Sequence, residues 1–261
     1  MLRKVSEIST NALKPSHPKS LMKNRMPVLD TEVFTLARTD RARYLCALTV
    51  PRSKRDAVLT LLAFDQEISK IPGAVSEPML GRIRLQWWLE ALPAMAKGQA
   101  PAHPVAQGLA PFGFKTEHLQ GLIEARNFDL EDAPITFDGL CAYALATGGV
   151  FQSLVLEQLG VVHVGAEAAA KDIGAAGALV KFLRNGESLI EGIEAEVIQD
   201  QIQKWLQGAR EQNIPKSLKK SAAPALILAS LIDRRLRLGD AANDGVGAVF
   251  RVWWGKTTGR Y

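Results

Sequence analysis

Residues 41–92, RARYLCALTVPRSKRDAVLTLLAFDQEISKIPGAVSEPMLGRIRLQWWLEAL, hold two helix start signals and two apolar stripes, and they decide the fold class. Asp40, just ahead, caps a helix predicted to reach about Val50, since its carboxylate can accept the amide hydrogens that a first turn leaves unpaired. Pro51 then opens the next helix. In it Ala57, Leu61, Phe64, Ile68 and Ile71 recur at spacings of four, three, four and three, which puts all five on one face. Ser76-Glu77-Pro78 starts a third helix, because proline is tolerated in the first turn. Its predicted inward stripe is Leu80, Ile83, Trp87, Ala91 and Ala94, and Lys97-Gly98 ends it.

The helical period continues beyond this stretch. A short helix is predicted near 105–110, one from Glu117 to about Asp132 capped by Thr116, and a long one from Thr136 to Leu159 interrupted by Gly148-Gly149. Others fall at about 166–184, 194–207, 216–238 and 246–254, eight to ten helices in all, with no alternating stretch or turn pair that would make a hairpin. The class is all-α. Glycine inside a helix costs about 1 kcal/mol relative to alanine, so the pair 148–149 implies close approach, either by another helix or by a ligand tail.

With 261 residues and 47% apolar content, the chain can bury one large core. Charge is uneven: residues 1–26 hold six Lys and Arg against Glu7 alone, while the remainder has 26 of each sign. Residues 1–28 therefore read as a basic, disordered leader and 29–261 as the folded domain. A transit peptide, a tail attracted to anionic lipid, and residues upstream of a true start at Met26 all fit the leader. It lacks the apolar run of a secretory signal, and no later run is read as long enough to span a bilayer. Ala222–Ile232, interrupted by Pro224, is the nearest. Cys46 and Cys141 read as buried, reduced thiols.

His17, His103, His118 and His163 have no partner at metal-binding spacing, Gly245-Val246-Gly247 is too short for a dinucleotide loop, and P-loop and Gly-x-Ser-x-Gly patterns are absent. The basic leader lacks interleaved aromatics, so no nucleic-acid partner is expected. Trp253-Trp254 beside Lys256 and Arg260 suits a membrane interface or a partner protein.

The segment Arg41–Leu92, above all Ser76–Trp88, followed by His103-Pro-Val-Ala-Gln-Gly-Leu109, resembles the squalene/phytoene synthase family. The similarity is greatest to the branch that includes mitochondrial complex I assembly factors and their bacterial relatives. The resemblance implies a single-domain orthogonal helical bundle of the isoprenoid synthase type with a central apolar cavity. It implies one of two functions. Catalytic members join two prenyl diphosphates head to head, using Mg²⁺ held by acidic clusters on two facing helices. The assembly-factor branch implies a non-catalytic pseudoenzyme that binds respiratory complex I subunits or a prenyl lipid. Its expected location is the bacterial cytoplasm or inner-membrane periphery, or the mitochondrial matrix side if residues 1–26 are a transit peptide.

Aligned on the family's lead-in at Ala63-Phe64, the first acidic cluster falls on Ser69, Lys70 and Gly73. Aligned at Leu183-Arg184, the second falls on Asn185 and Leu189, and the family's phosphate segment is replaced by residues 192–197. A lysine about 5 Å from a divalent ion would repel it by roughly 6 to 7 kcal/mol at an effective dielectric near 20. The expectation is therefore no cofactor, with Mg²⁺ only if the catalytic alternative holds. The candidate cavity or diphosphate-binding residues are Asp65, Lys70, Arg84, Trp87, Glu124, Arg126, Asp129 and Arg184. Helical phase points Asp65 and Arg84 inward and suggests that they pair. Glu124–Leu130 resembles the family's central acid-bearing segment, with Arg126 and Asp129 one turn apart as either a surface pair or cavity groups. Acid/base chemistry of another kind, using Asp65, Glu67, Glu124 and Asp129, is a third reading.

Overall fold

Asp30 caps α1 (Thr31–Thr39), its side chain accepting the Glu32 amide at 2.8 Å. The computed structural model describes residues 30–131, 136–185, 192–239 and 245–261. Asp40 then caps α2 (Arg41–Ala47) by accepting the Arg43 amide, and α3 (Arg52–Lys70) follows Pro51. α4 (Pro78–Ala96), α5 (Pro104–Leu109) and α6 (Thr116–Ala125) come next, α6 running into a 3-10 turn at Arg126–Leu130. α7 (Phe137–Ala144) passes through a π-helical turn, Leu145–Gly149, into α8 (Val150–Gln158). The chain continues with α9 (Val164–Asn185), α10 (Ala195–Glu211), α11 (Lys216–Leu226), α12 (Leu228–Leu238) and α13 (Val246–Thr258). No strand occurs among the described residues. The basic leader 1–28 lies outside them.

Two helices organise the bundle. α3 buries its whole predicted stripe and packs on α1, α2, α5 and α8, while α9 touches α7, α8, α10, α11, α12 and the π turn. α9 approaches α7–α8 closely because glycines face each other at the crossing. A Cβ on Gly148 would lie 2.1 Å from the Gly174 carbonyl oxygen, and one on Gly174 would lie 2.0 Å from that of Gly148. The glycine pair thus serves a helix contact, with the π turn at the same place.

Several expectations change. α4 is rotated from its predicted phase over most of its length: Gly81, Leu85, Trp88, Leu92 and Met95 are buried, whereas Leu80, Ile83 and Trp87 are exposed and of the predicted stripe only Ala91 is buried. The sequence offers apolar stripes on both sides of this helix, and tertiary partners select between them. Gly81 leaves room for Leu130, and Trp88 meets Phe64 edge-on with ring centroids 5.2 Å apart. The predicted helix 117–132 gives way to a 3-10 turn at Arg126, which re-aims Arg126 and Asp129. The predicted helix 216–238 is two helices, Lys216–Leu226 and Leu228–Leu238, joined at Ile227 by a tighter turn in which the Ser230 amide reaches back only three residues, to the Ile227 carbonyl at 3.1 Å. Phe137–Gln158, 22 residues, is long and apolar enough to cross a membrane by length and composition, contrary to the sequence reading. Half of it is buried in the bundle, as in a core helix.

Candidate functional site: a buried charge network beside a cavity

A cavity of about 840 Å³ opens between α2, α3, α9, α12 and the turn after α6. Leu228, Leu231, Ile232 and Val180 give it an apolar wall, and a chain of ion pairs gives it a charged one. The lining is therefore mixed rather than wholly apolar.

Asp65 is the centre of the charged wall. It is 2% exposed, carried inward by the stripe of α3, and a buried carboxylate stays ionised only if cations and donors replace the lost water. Arg43 Nη2 lies 2.5 Å from one of its oxygens and Arg126 Nη2 lies 2.8 Å from the other. Arg43 Nε also reaches Asp40 at 2.6 Å, and Lys181 Nζ on α9 reaches the same Asp40 oxygen at 2.5 Å. On the other side Arg126 Nη1 donates to the Tyr143 hydroxyl at 2.6 Å, and that hydroxyl donates to Asp129 at 2.7 Å. Tyr143 is held by stacking on Phe128, centroids 4.7 Å apart, and Arg43 lies over the Phe151 ring at 4.3 Å. Three acids and three bases, from four segments of the chain, thus neutralise one another. Arg126 Nε, also buried, has no hydrogen-bond partner. Lys181 keeps 44% of its side-chain accessibility on the cavity side, so its pair is the most screened of the set.

The electrostatics follow. Burial alone would raise the Asp65 carboxyl, but Arg43, Arg126 and Lys181 overcome it and hold it far below the usual carboxylate range. Asp40 is likewise pushed up by burial and pulled down further by Lys181 and Arg43. Asp129 goes the other way: burial raises it, and Arg126 and Tyr143 only partly offset that. Lys181 is lowered, first by burial and then by Arg43.

A carboxylate depressed in the folded state contributes stability that is complete above its unfolded pKa, near 3.9, and lost as pH falls through the folded value. Asp40 and Asp65 therefore predict a melting temperature that drops steadily below about pH 4. Asp129, raised, has the opposite sign and a higher window: its penalty is complete above its folded value and is relieved as pH falls from there to the unfolded value, before the loss from Asp40 and Asp65 sets in. In Asp65→Asn the slope below about pH 4 should shrink, as measured by melting curves in a pH series. An unchanged slope would show that Asp65 does not carry this dependence.

Of the predicted site residues, the structure brings Asp65, Arg126 and Asp129 together at the cavity, and Arg184 lines it from an exposed position at the end of α9. Arg126 and Asp129 are cavity groups rather than a surface pair. The Asp65–Arg84 pair does not form, because α4 turns Arg84 to solvent and Asp65 takes Arg43 and Arg126 instead. Trp87 is 40% exposed and packs on Trp88 and His103, away from the cavity. Lys70 and Glu124 are exposed and do not line it.

Sequence reasoning missed Arg43, Lys181 and Tyr143, and read Asp40 only as a helix cap. A lone lysine at 181 in the apolar run 173–183 was the available signal.

Of the positions aligned with the family's acidic clusters, Ser69 bonds the Gln66 carbonyl at 3.0 Å and Lys70 faces solvent. Leu189 lies outside the described residues. No group of three or more His, Cys, Asp and Glu converges among the described residues. Each carboxylate oxygen of Asp65, and the inner oxygen of Asp40, already holds a cation. This donor set does not fit Mg²⁺, which requires several oxygen ligands from unpaired groups.

Fold and cavity together define an all-α bundle of the isoprenoid synthase type. A crystal structure of a dehydrosqualene synthase superposes with a TM-score of 0.63 at 17% identity, covering 87% of this chain and 95% of that one. The squalene/phytoene synthase family pattern matches residues 36–187, more than half of the sequence, and the chain belongs to that family. Among curated relatives, NADH dehydrogenase (ubiquinone) complex I assembly factor 6 of Mus musculus is 32% identical over 154 residues, 57% of this chain and 46% of its own length. The Homo sapiens protein of that name is 30% identical over the same span and coverage. The Drosophila melanogaster homolog is 26% identical over 193 residues, 70% of this chain and 54% of its own. The chain spans about half the length of the curated relatives it matches.

Proposed function

We propose that the chain is a non-catalytic member of the squalene/phytoene synthase family, an assembly factor that binds partner proteins of respiratory complex I or a prenyl-type lipid. The carrying observation is the closed set of ion pairs around Asp65. A prenyl synthase must keep carboxylates open on two facing helices to hold magnesium against a diphosphate. Here Asp40 and Asp65 bind Lys181, Arg43 and Arg126 instead, and serine, lysine and glycine occupy the first aligned cluster. The names of the relatives supply the assembly role. In this reading both acidic motifs have been lost and no metal is used. The site of action is where complex I is put together, at the inner-membrane periphery of a bacterium or on the matrix side of a mitochondrion.

The direct test is incubation of the purified protein with farnesyl or geranylgeranyl diphosphate and Mg²⁺, measuring diphosphate release. No release above the buffer control is expected. Turnover would overturn the reading and restore a prenyltransferase that joins two prenyl diphosphates. Pull-down from the native host should then enrich respiratory-chain subunits, and failure to enrich any would remove the assembly role.

A further inference from the structure

The helix α13 is built inside out. Its inward residues are small, Ala248, Val252 and Gly255, and a Cβ on Gly255 would stand 2.6 Å from Ile227. Its outward face carries Val246, Val249, Phe250, Trp253 and Trp254, each between 46% and 88% exposed. These fall at i, i+3, i+4, i+7 and i+8, one continuous ridge, whereas a helix of a soluble bundle turns such a stripe to the core. The aromatics are already ordered. Phe250 stacks on Trp254 with centroids 6.3 Å apart and leans on Trp253 at 6.2 Å.

Basic residues accompany the ridge along the helix and on its neighbours. Arg251 stands in the helix, and Lys256 and Arg260 stand at its end, Lys256 bonded to the Thr49 carbonyl. Neighbouring helices carry more: a guanidinium nitrogen of Arg234 of α12 would lie 3.4 Å from a Cβ on Gly247, and the Cβ of Lys219 of α11 would lie 3.4 Å from one on Gly259. From Val246 to Tyr261 there is no acid. Residues 216–261 hold nine Lys and Arg against three Asp. Of those three, Asp233 is bonded to Arg210, while Asp240 and Asp244 lie outside the described residues. Residues 27–215 carry the opposite balance, 17 bases against 23 acids. Within residues 27–261 the segment that carries the aromatic ridge is therefore the net positive one.

We propose that α13 docks the protein flat on an anionic lipid surface, the ridge entering the headgroup boundary and the cations meeting lipid phosphates. Tryptophan suits that boundary because its ring is apolar and its N–H can still reach water or a headgroup. A protein partner is the weaker match. The cores of protein interfaces are depleted of lysine, and a helix ridge in an acid-free, basic segment matches an anionic plane better than a pocket. The assignment does not rest on the absence of catalysis.

The test uses the full chain with phosphatidylcholine vesicles, with and without phosphatidylglycerol. Co-sedimentation should require the anionic lipid and weaken with rising salt, and tryptophan emission should shift to the blue and be quenched by brominated acyl chains. Phe250→Ser/Trp253→Ser/Trp254→Ser should lose about tenfold or more of the binding with an unchanged melting temperature, since these side chains are exposed. Arg251→Glu, which leaves the ridge intact, should also lose about tenfold. Binding that survives the triple substitution would assign the affinity elsewhere, the basic leader included, and overturn the proposal. Equal binding to pure phosphatidylcholine would overturn it too. So would a dimer in sedimentation velocity that the triple substitution abolishes and anionic vesicles do not compete away.

Discussion

Asp65→Ala is expected to destabilise the protein by about 3 to 5 kcal/mol, because removing one partner of a buried ion pair leaves the other charge uncompensated. Here it leaves three cations to two acids: Arg43 keeps only Asp40, which it shares with Lys181, and Arg126 keeps Tyr143 and Asp129, both guanidinium side chains being about 10% exposed. At about 2 to 4 °C per kcal/mol for a domain of this size, the melting temperature should fall by roughly 6 to 20 °C. Burial as such is not the cause of the loss, since a well-packed apolar replacement of a whole charge cluster is often neutral. Denaturant titration followed by circular dichroism measures it. A loss below about 1 kcal/mol would mean that water or backbone groups solvate the two guanidinium groups and that the network is not a structural unit.

Gly174→Ala is expected to cost about 3 kcal/mol or more, the upper end for overpacking, despite alanine's better helix propensity. The added methyl would sit 2.0 Å from the Gly148 carbonyl oxygen and 2.6 Å from its carbon, backbone atoms of another segment that cannot rotate away. α9 would have to lift from α7–α8, and both glycines line the cavity, so the cavity would open with it. Gly177→Ala is the internal comparison, one turn along the same helix. Its methyl would meet only Leu228 Cδ2 at 3.2 Å and Ile232 Cδ1 at 3.7 Å, flexible side-chain ends. Its effect should lie within about 1 kcal/mol of neutral, propensity offsetting a small shift. Similar melting temperatures for the two variants would contradict the glycine contact as the reason for the close crossing.

The sequence made some of the site legible and some not, and the difference is physical. Asp65 was readable as inward because α3 has one apolar stripe with an unambiguous phase, and a charge between Leu61 and Ile68 has no other direction to take. Arg84 was misread by the same logic, because α4 is apolar on two sides and periodicity alone cannot say which meets the core. Arg126 was found through the family segment, but its direction depended on a 3-10 turn that no propensity near 126–130 announced.

By itself, the sequence determined the all-α class, the starts of α2, α3 and α4, and the need for close contact at Gly148, since caps, proline positions and helical period act within a few residues. Only the tertiary structure decided which cations answer Asp65, which face of α4 is buried, and that α13 turns its aromatics outward. Those outcomes depend on groups far apart in sequence, Asp65 with Arg126 or Trp88 with Phe64, and the free energy of burying a charge or a ring is fixed by whatever packs against it.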